Sequence, residues 1–322
     1  MKRIAIIGEC MIELNGAPFG TMKQTYGGDS LNTAVYLARV AGQSVAINYV
    51  TALGTDAISE GMLSRWQQEG VNTDLVLQDP ARQPGLYLIQ LDEHGERTFL
   101  YWRNQSAARY MLQHPDFSAV DSYLHTVDMV YLSGISVAIL PSADRQRLVV
   151  LLQQLAAKGV KIAFDSNYRP ALWHDADEAR QCYQQILALT DLALVTDDDE
   201  QALWGDKSTT ESVKRLQQSG VKQMVLKMGA QGCLYHDFIS AQSELIATTA
   251  VAHVIDTTSA GDAFNAGFLA GYLTEQSPRD AALQGHRLAG TVIQHKGAII
   301  PASATQSMNF NIQPTTEKDA IR

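Results

Sequence analysis

An aspartate lies at the point where a polar, glycine-bearing turn becomes a helix of small and apolar residues. The stretch reads DTTSAGDAFNAGFLAGYL, residues 256–273, and the aspartate is Asp262. The first backbone N–H groups of a helix have no partner within it, and the helix dipole adds positive potential, so this helix start predicts an anion site. A carboxylate beside a bound phosphate is repulsive unless it has a chemical task, such as accepting the proton of an attacking hydroxyl. The alternative is that Asp262 only caps the helix.

A second glycine-bearing turn comes early in the chain, in YGGDSLN at residues 26–32. Its two glycines expose backbone amides, and Asp29 can accept hydrogen bonds from sugar hydroxyls. The alternative is an ordinary helix start capped by Asp29 or Ser30. Two further loops, DSNYRP at 165–170 and KMGAQG at 227–232, follow predicted strands and are also rich in polar and glycine residues.

The elements that must position these turns follow an α/β rhythm. Short β-branched runs such as RIAIIG, residues 3–8, alternate with helical patterns almost without interruption from 130 to 297. We therefore expect an α/β fold with a central, mostly parallel sheet flanked by helices. Ligands bind such sheets at the carboxyl ends of the strands, so we expect the site among the loops that follow strands.

A predicted β-hairpin interrupts this rhythm. The segment PGLYLIQLDEHGERTFLYWR alternates apolar and polar residues on both sides of DEHGE. Together with residues 10–26, the segment 84–104 is expected to form a small, discontinuous β-sheet lid on a single domain that spans residues 1–302. The tail, residues 303–322, is polar and lacks periodicity, so we expect it to be loosely ordered.

Composition argues against several classes of function. The chain has 322 residues, a formal net charge of −9 and no strongly basic run, so nucleic acid is not an expected partner. No apolar stretch of about 18 residues occurs, so no membrane partner is expected and the cytoplasm is the expected location. The chain has no GxxxxGK(S/T) phosphate loop, and GECMIELNG after the first strand departs from the GxGxxG of nicotinamide dehydrogenases.

The joint pattern resembles the ribokinase-like (PfkB) family of sugar kinases. An early GGD-x-x-N helix start and a late DTT-x-AGDAF helix start occur in that order, and TALGTD at 51–56 and KMGAQGC at 227–233 also match. The resemblance covers nearly the whole chain, residues 3–300. It implies a ribokinase-like fold in which ATP, with Mg²⁺, phosphorylates a small sugar beneath a lid.

The resemblance also implies roles for individual residues. Asp262 would deprotonate the sugar hydroxyl, and the amides of Ala260, Gly261 and Asp262 would hold the transferring phosphoryl group. The positions that would face the sugar are Gly28, Asp29 and Asn32. Those assigned to the nucleotide and its phosphates are Asn167, Lys227, Gly229, Gly232, Ser259 and Gly261. Whether a monovalent cation sits near Asp256 is left open.

Two departures from the family pattern affect this assignment. Most members read GAGD, whereas this chain has Ser259 in place of the first glycine. The backbone N–H groups are still present with serine at this position, so an anion site is still expected. The family's N-x-x-E motif, which helps to order magnesium and phosphate, aligns with TDDDE, where Asp199 or Glu200 would serve through water. The alternative for this acidic run is a solvated helix start.

Cationic and hydroxyl side chains indicate the acceptor. A sugar acid needs a cation, preferably a planar bidentate one, whereas a neutral sugar does not. Tyr101 and Arg103 lie on the same side of a hairpin strand, Tyr87 lies at the start of the hairpin, and Arg169 follows another strand. The alternatives are that Arg103 is a surface strand residue and that Arg169 forms a structural ion pair.

With DSNYRPALW, DDEQALWG and VIDTTSAGD, these residues resemble the 2-dehydro-3-deoxygluconate kinases within the family. That branch implies transfer to the 6-hydroxyl of this sugar acid, whose keto-acid end would bind Tyr87, Tyr101, Arg103 and Arg169. The alternatives are a kinase for a neutral ketose such as fructose and a non-catalytic homologue that binds a sugar acid. Exposed strand edges in the lid predict a homo-oligomer that forms through the lid.

Overall fold

The structure of the chain is a computed structural model that describes residues 1–91 and 97–308. The strands are β1 Lys2–Ile7, β2 Met11–Gly16, β3 Met22–Gly27, β4 Val45–Leu53, β5 Val76–Gln78, β6 Leu86–Leu91, β7 Arg97–Trp102, β8 Met129–Ser133, β9 Lys161–Asp165, β10 Leu192–Thr196, β11 Gln223–Lys227, β12 Cys233–Asp237 and β13 Gln242–Ile246. The helices are α1 Asp29–Ala41, α2 Ala57–Gln68, α3 Phe117–Leu124, α4 Gly134–Ala138, α5 Ser142–Ala157, α6 Ala176–Leu187, α7 Asp197–Trp204, α8 Thr209–Gln218, α9 Ala260–Leu273 and α10 Pro278–Val292.

Most of the strands belong to one large sheet, in the order β13-β12-β11-β10-β9-β8-β1-β4-β5. The strands from β11 to β5 pair in parallel, and β12 and β13 add two antiparallel strands at one edge. The predicted α/β fold with a mostly parallel sheet is therefore confirmed. The register places Ser133 beside Asp165 and Thr196 beside Lys227, so the last residues of four neighbouring strands share one edge of the sheet.

Helices cover both faces of the sheet, which explains why its strands are short, nearly continuous apolar runs. In β1, the side chains of Ile4 and Ile6 enter one buried core, and those of Ala5 and Ile7 enter the other. Helices α1, α9 and α10 pack on the first core, and α5 and α6 pack on the second. None of the described helices is long and apolar enough to cross a membrane.

A smaller sheet has the order β3-β2-β6-β7. Strand β2 pairs antiparallel with β3 and in parallel with β6, and β6 pairs antiparallel with β7. The two predicted lid segments, 10–26 and 84–104, thus supply one second sheet, and its role as a lid stays a prediction. The strands of the predicted hairpin are confirmed, whereas its DEHGE turn lies outside the described residues.

Two local expectations concern the start of α1 and the tail. The N-cap of α1 is Gly28, without a side-chain cap, so the expectation that Asp29 or Ser30 caps this helix is wrong. The beginning of the tail forms short 3-10 turns at Ala302–Ala304 and Gln306–Met308. The rest of the tail, residues 309–322, lies outside the described residues, so its expected looseness stays a prediction.

Candidate active site

The carboxyl ends of the central strands bring three distant turns together. Asn32, in the first turn of α1, donates from Nδ2 to Oδ2 of Asp262, in the first turn of α9, at 2.9 Å. Asn167, just after β9, donates from Nδ2 to Oδ2 of Asp29 at 2.7 Å. Residues assigned from the sequence to the sugar, the phosphates and proton transfer therefore meet at the edge where parallel sheets bind ligands.

Asp262 does not cap its helix. The N-cap of α9 is Ser259, which has a φ of 65° and makes no side-chain cap. Oδ2 of Asp262 instead accepts hydrogen bonds from Ser259 Oγ and from Asn32, both at 2.9 Å. Burial, and next the nearby charge of Asp29, raise the pKa of Asp262 to about 7. A carboxylate with a pKa near neutrality suits a general base, because it can take up a proton and release it again.

The start of α9 offers two backbone amides to an anion. The amides of Gly261 and Asp262 have no hydrogen-bond partner within the described part of the chain. The amide of Ala260, which was also assigned to the phosphoryl group, donates to the carbonyl of Thr257 at 3.1 Å. Two free amides at a helix N-terminus, rather than three, therefore form the candidate phosphoryl site.

A buried polar network lies beneath this helix start. Nζ of Lys227 lies 3.0 Å from Oδ1 of Asn265 and 3.4 Å from Oδ1 of Asp165. Nδ2 of Asn265 donates in turn to Oδ2 of Asp165 at 2.9 Å and to the hydroxyl of Tyr131 at 3.2 Å. The side chain of Lys227, assigned from the sequence to the nucleotide, thus turns inward. The other members of the network, Asp165, Asn265 and Tyr131, were not predicted; the available signals were an aspartate that opens DSNYRP and an asparagine within DAFNAG.

The loop after β11 turns tightly through two glycines. Gly229 and Gly232 have φ values of 54° and 97°, and the amide of Met228 donates to the carbonyl of Gly232 at 2.9 Å. A β-carbon on Gly232 would lie 2.2 Å from the carbonyl oxygen of Ile246, so a side chain does not fit there. Both glycines assigned to the nucleotide therefore shape the loop backbone, and their contact with a nucleotide stays a prediction.

Arg103 is held in place by an acid that was not among the predicted site residues. Its guanidinium pairs with the buried carboxylate of Glu9, which also accepts a hydrogen bond from Ser106 Oγ at 2.5 Å. A β-carbon on Gly28 would lie 2.2 Å from the carbonyl oxygen of Glu9, so the loop after β1 passes directly against the start of α1. Arg103 is therefore linked, through Glu9, to the glycine assigned to the sugar.

Two tyrosines continue this surface on the smaller sheet. Tyr87 donates to the buried carboxylate of Glu13, and its ring centroid lies 6.0 Å from that of Tyr101. The guanidinium of Arg103 lies 5.8 Å from the ring of Tyr101, whose side chain is exposed. The smaller sheet thus presents Tyr101 and Arg103 side by side, with Tyr101 accessible to a ligand.

The second arginine pairs with one of the acids assigned to the metal. Nη1 of Arg169 lies 3.3 Å from Oδ1 of Asp199, and the arginine side chain is half exposed. Burial, and next the charge of Asp165, raise the pKa of Asp199 to about 6. Glu200 is buried and pairs with Arg215, so it is not part of a solvated helix start. Asp199 borders solvent, whereas Glu200 is enclosed by its own partner.

Metal binding would depend on few protein groups. Within residues 1–91 and 97–308, no group of three or more His, Cys, Asp or Glu side chains is arranged to hold a metal ion. Magnesium in phosphoryl transfer is commonly held by one or two carboxylates together with substrate phosphates and water. Asp199 fits that mode better than Glu200, because the Asp199 side chain is 19% exposed and that of Glu200 is 2% exposed. Asp256 lies at the position considered for a monovalent cation. Its carboxylate accepts hydrogen bonds from Thr258 Oγ1 at 2.7 Å and from the Gly297 amide at 2.9 Å.

Sequence relatives include two kinds of sugar kinase. The chain is 56% identical over 301 residues to a 2-dehydro-3-deoxygluconokinase of Haemophilus influenzae, an alignment that covers 93% of this chain and 96% of that protein. It is 28% identical over 316 residues to a fructokinase of Vibrio alginolyticus, covering 98% of this chain and 97% of that protein. Similarity to the first is thus far higher than similarity to the second.

A solved structure and a family model agree with these relatives. A 2-dehydro-3-deoxygluconokinase from Thermotoga maritima matches with a TM-score of 0.81 at 17% identity, covering 96% of this chain and 99% of that chain, which supports the fold alone. The model of the pfkB family of carbohydrate kinases matches residues 1–305, a range that includes both helix starts, the strand-end loops and both sheets. The chain therefore belongs to the pfkB family of carbohydrate kinases.

Proposed function

We propose that this chain transfers the γ-phosphoryl group of ATP to the 6-hydroxyl of 2-dehydro-3-deoxy-D-gluconate, which yields 2-dehydro-3-deoxy-6-phosphogluconate. The observation that carries this proposal is Asp262, a carboxylate with its pKa raised to about 7 that lies beside two free amides at the start of α9. The substrate is supported by 56% identity to a 2-dehydro-3-deoxygluconokinase over most of the chain.

Asp262 and the amides divide the chemistry between them. Asp262 takes the proton of the 6-hydroxyl as its oxygen attacks the γ-phosphorus, while the amides of Gly261 and Asp262 and the positive end of α9 stabilise the negative charge on the transferring group. Because the base must be ionised to accept a proton, and because burial raises the pKa of Asp262 to about 7, kcat/KM is expected to rise with pH up to about 7.

The nucleotide is proposed to lie along the loops after β11 and before α9. The residues assigned to it are Asn167, Gly229, Gly232, Ser259 and Gly261, and Lys227 contributes its backbone because its side chain is buried. Val254 and Ile255, which are 55% and 63% exposed, offer an apolar surface to the purine. Apolar side chains exposed beside a polar anion site are typical of ligand pockets.

Mg²⁺ is proposed to be held by Asp199 through water and by the phosphates of ATP. When bound, it neutralises the phosphate charge that develops during transfer. Asp199 suits this position because burial and the negative charge of Asp165 raise the pKa of its carboxyl to about 6. A nearby cation would stabilise the ionised carboxylate against both effects. Arg169, its present partner, would then be available to the sugar acid.

The keto-acid end of the sugar is proposed to bind Arg103 and Arg169. Each carries a planar guanidinium, and Glu9 orients that of Arg103. Nε of Arg103 is buried without a partner in the described part of the chain, so a ligand could satisfy one more donor. The other sugar-facing residues are assigned as Gly28, Asp29, Asn32, Tyr87 and Tyr101. A neutral ketose would leave both guanidinium groups without a carboxylate from the substrate.

The remaining proposals concern location and assembly. Use of ATP fits a cytoplasmic location, and neither nucleic acid nor a membrane is proposed as a partner. A second copy of the chain is proposed to pair through the smaller sheet, whose edge strand β7 carries exposed apolar residues. The small sheet would also close over the sugar as a lid and exclude water from the reaction.

A coupled assay of ADP formation tests the acceptor and the base together. We expect kcat/KM for 2-dehydro-3-deoxygluconate to exceed that for fructose by at least about 100-fold, because the carboxylate of the sugar acid can pair with the two arginines and a neutral ketose offers no such group. Asp262→Asn is expected to lower kcat by about 10³-fold or more while sugar binding, measured by calorimetry, is retained. The control Asp74→Asn changes an exposed aspartate between α2 and β5 and should leave kcat unchanged.

The outcomes separate the competing functions. Preferred turnover of fructose would support the neutral-ketose kinase instead. Binding of the sugar acid without any ATP-dependent turnover would support a non-catalytic homologue. Full turnover by the Asp262→Asn enzyme would remove Asp262 from the mechanism.

A further inference from the structure

We infer that Lys227 is a positioning residue: held by Asp165 and Asn265, its ammonium group neutralises Asp165 and thereby keeps Asp262 able to act as the base. Lys227 acts on Asp262 through Asp165 and touches neither the sugar nor the phosphates. The inference rests on the proposed role of Asp262. It goes beyond that role because it assigns a task to a buried network that the transfer reaction itself does not use.

The ammonium group is fixed inside the protein. The Lys227 side chain is 10% exposed and lies 3.0 Å from Oδ1 of Asn265 and 3.4 Å from Oδ1 of Asp165. The side-chain amide of Asn265 cannot flip without losing hydrogen bonds, because Oδ1 accepts from Lys227 while Nδ2 donates to Asp165 and Tyr131. Attraction within a buried ion pair often does no more than offset the cost of desolvating the two charges. Stability alone therefore explains this pair poorly, and an electrostatic role in the neighbouring site explains it better.

The network lies directly against the first turn of α9. Asn265 follows Asp262 by three positions, so the two side chains occupy neighbouring places on one side of the helix. A β-carbon on Gly261 would lie 3.8 Å from Nζ of Lys227, which is ordinary contact distance. Asp165 and Lys227 are the last residues of β9 and β11, the strands on either side of β10. The charges of Asp165 and Lys227 therefore contribute to the electrostatic potential at the start of α9, where Asp262 lies.

The groups that face Asp262 are mainly acidic or neutral. They are Asp29, Asn32 and Tyr36 from α1, Tyr131 from β8, Asp165 from β9 and Ser259 from the turn before α9. Burial first, and then Asp29 and Asp165, raise the pKa of Asp262, whereas hydrogen bonds from Asn32 and Ser259 lower it. Lys227 is the cation that contacts one of these two carboxylates. Without it, the full charge of Asp165 would raise the pKa of Asp262 further and leave the base protonated at neutral pH.

The pH dependence of kcat/KM for the sugar acid, measured at saturating Mg-ATP, tests this inference. Lys227→Met is expected to move the acid limb of the profile to higher pH by about one pH unit, and Asp165→Asn to move it to lower pH by a similar amount. The double variant removes one charge of each sign and should return close to the wild-type profile. Ionisation of ATP and of the sugar acid is common to all four enzymes, so differences between the profiles report the protein.

Each outcome bears on the inference. An acid limb of kcat/KM at the same pH in the wild type and all three variants would overturn the inference. An unchanged acid limb with a KM for ATP raised tenfold or more in Lys227→Met would assign Lys227 to the phosphates instead. If Lys227→Met does not fold, Asn265→Asp, which keeps the shape and adds a carboxyl group, must move the limb to higher pH while Asp165→Asn moves it to lower pH. A wild-type enzyme without turnover, or an active Asp262→Asn enzyme, would instead count against the proposed function.

Discussion

Ser259 occupies a backbone conformation that favours glycine, and its hydroxyl offsets part of that cost. Its φ is 65°, in the left-handed region, where a residue with a side chain costs about 1 kcal/mol relative to glycine. Oγ of Ser259 donates to Oδ2 of Asp262 at 2.9 Å, a bond that a glycine at this position could not make. The serine thus favours the ionised form of the base and lowers its pKa.

Two substitutions at Ser259 separate the hydroxyl from the backbone. Ser259→Gly and Ser259→Ala both remove the donor to Asp262, so both should move the acid limb of kcat/KM to higher pH. Ser259→Gly also relaxes the backbone, so its free energy of unfolding, measured in urea, should exceed that of Ser259→Ala by about 1 kcal/mol. A wild-type acid limb in either variant would show that the hydroxyl does not influence the base.

The elements that build the site could be predicted from local patterns, because each pattern is contained in a short stretch. Helices α1 and α9 follow from glycine-bearing turns next to apolar residues of helical period, and β6 and β7 follow from alternation on both sides of DEHGE. The mostly parallel sheet follows from the alternation of strands and helices. These features required no knowledge of which residues meet in space.

The pairing of side chains at the ends of these elements could not be predicted in the same way. Glu9 and Arg103 are 94 positions apart, and their contact depends on how the two sheets pack. Lys227 is the last residue of β11, where the bend of the following loop decides whether a side chain points to the ligand or inward. The sequence KMGAQG therefore does not indicate that the side chain of Lys227 points inward.

The loop after β11 depends on its second glycine more than on its first. Gly232 has a φ of 97°, and a β-carbon there would lie 2.2 Å from the carbonyl oxygen of Ile246 in β13. Gly229 has a φ of 54°, and a β-carbon there would meet no atom of residues 1–91 and 97–308 within 4 Å. Gly232→Ala should lower the free energy of unfolding by about 3 kcal/mol, because strain and a backbone clash combine, and the matched control Gly229→Ala by about 1 kcal/mol.

Urea denaturation of the two variants provides the measurement. Equal losses of stability would mean that the β12–β13 edge moves away from the added methyl group. In that case the close approach of Gly232 to Ile246 would not limit this loop.

At the scale of the whole molecule, the site is assembled from two sheets that have different tasks. The large sheet supplies Asp165, Asn167 and Lys227 at its carboxyl edge, and helices buried against it fix Asp262. The smaller sheet supplies Tyr101 from its edge strand β7, and Arg103 directly follows that strand. The large sheet thus holds the base, and the smaller sheet, with β7 at its edge, holds the residues proposed to select the sugar acid.

That open edge predicts how two copies of the chain associate. Strand β7 is the last strand of the smaller sheet, and Phe99, Leu100, Tyr101 and Trp102 are 41%, 39%, 53% and 58% exposed. An edge strand with apolar side chains exposed on both faces favours pairing with a second copy, since pairing buries the side chains and satisfies the free backbone groups. We expect a dimer by analytical ultracentrifugation at micromolar concentration. Leu100→Glu combined with Trp102→Glu should weaken it by about 100-fold or more, because charges would be buried in the contact.

Leu245→Glu provides the matched control, because Leu245 is 63% exposed on another edge strand, β13, at the far end of the large sheet. It should leave the dimer intact. Leu100 and Trp102 alternate with Tyr101 along β7 and point to the opposite face, so the double variant keeps the tyrosine proposed to contact the sugar. Loss of the dimer with the KM for the sugar acid raised would mean that the second copy also holds the lid in place over the site. A monomeric wild-type protein, or equal dissociation by Leu245→Glu, would exclude association through β7.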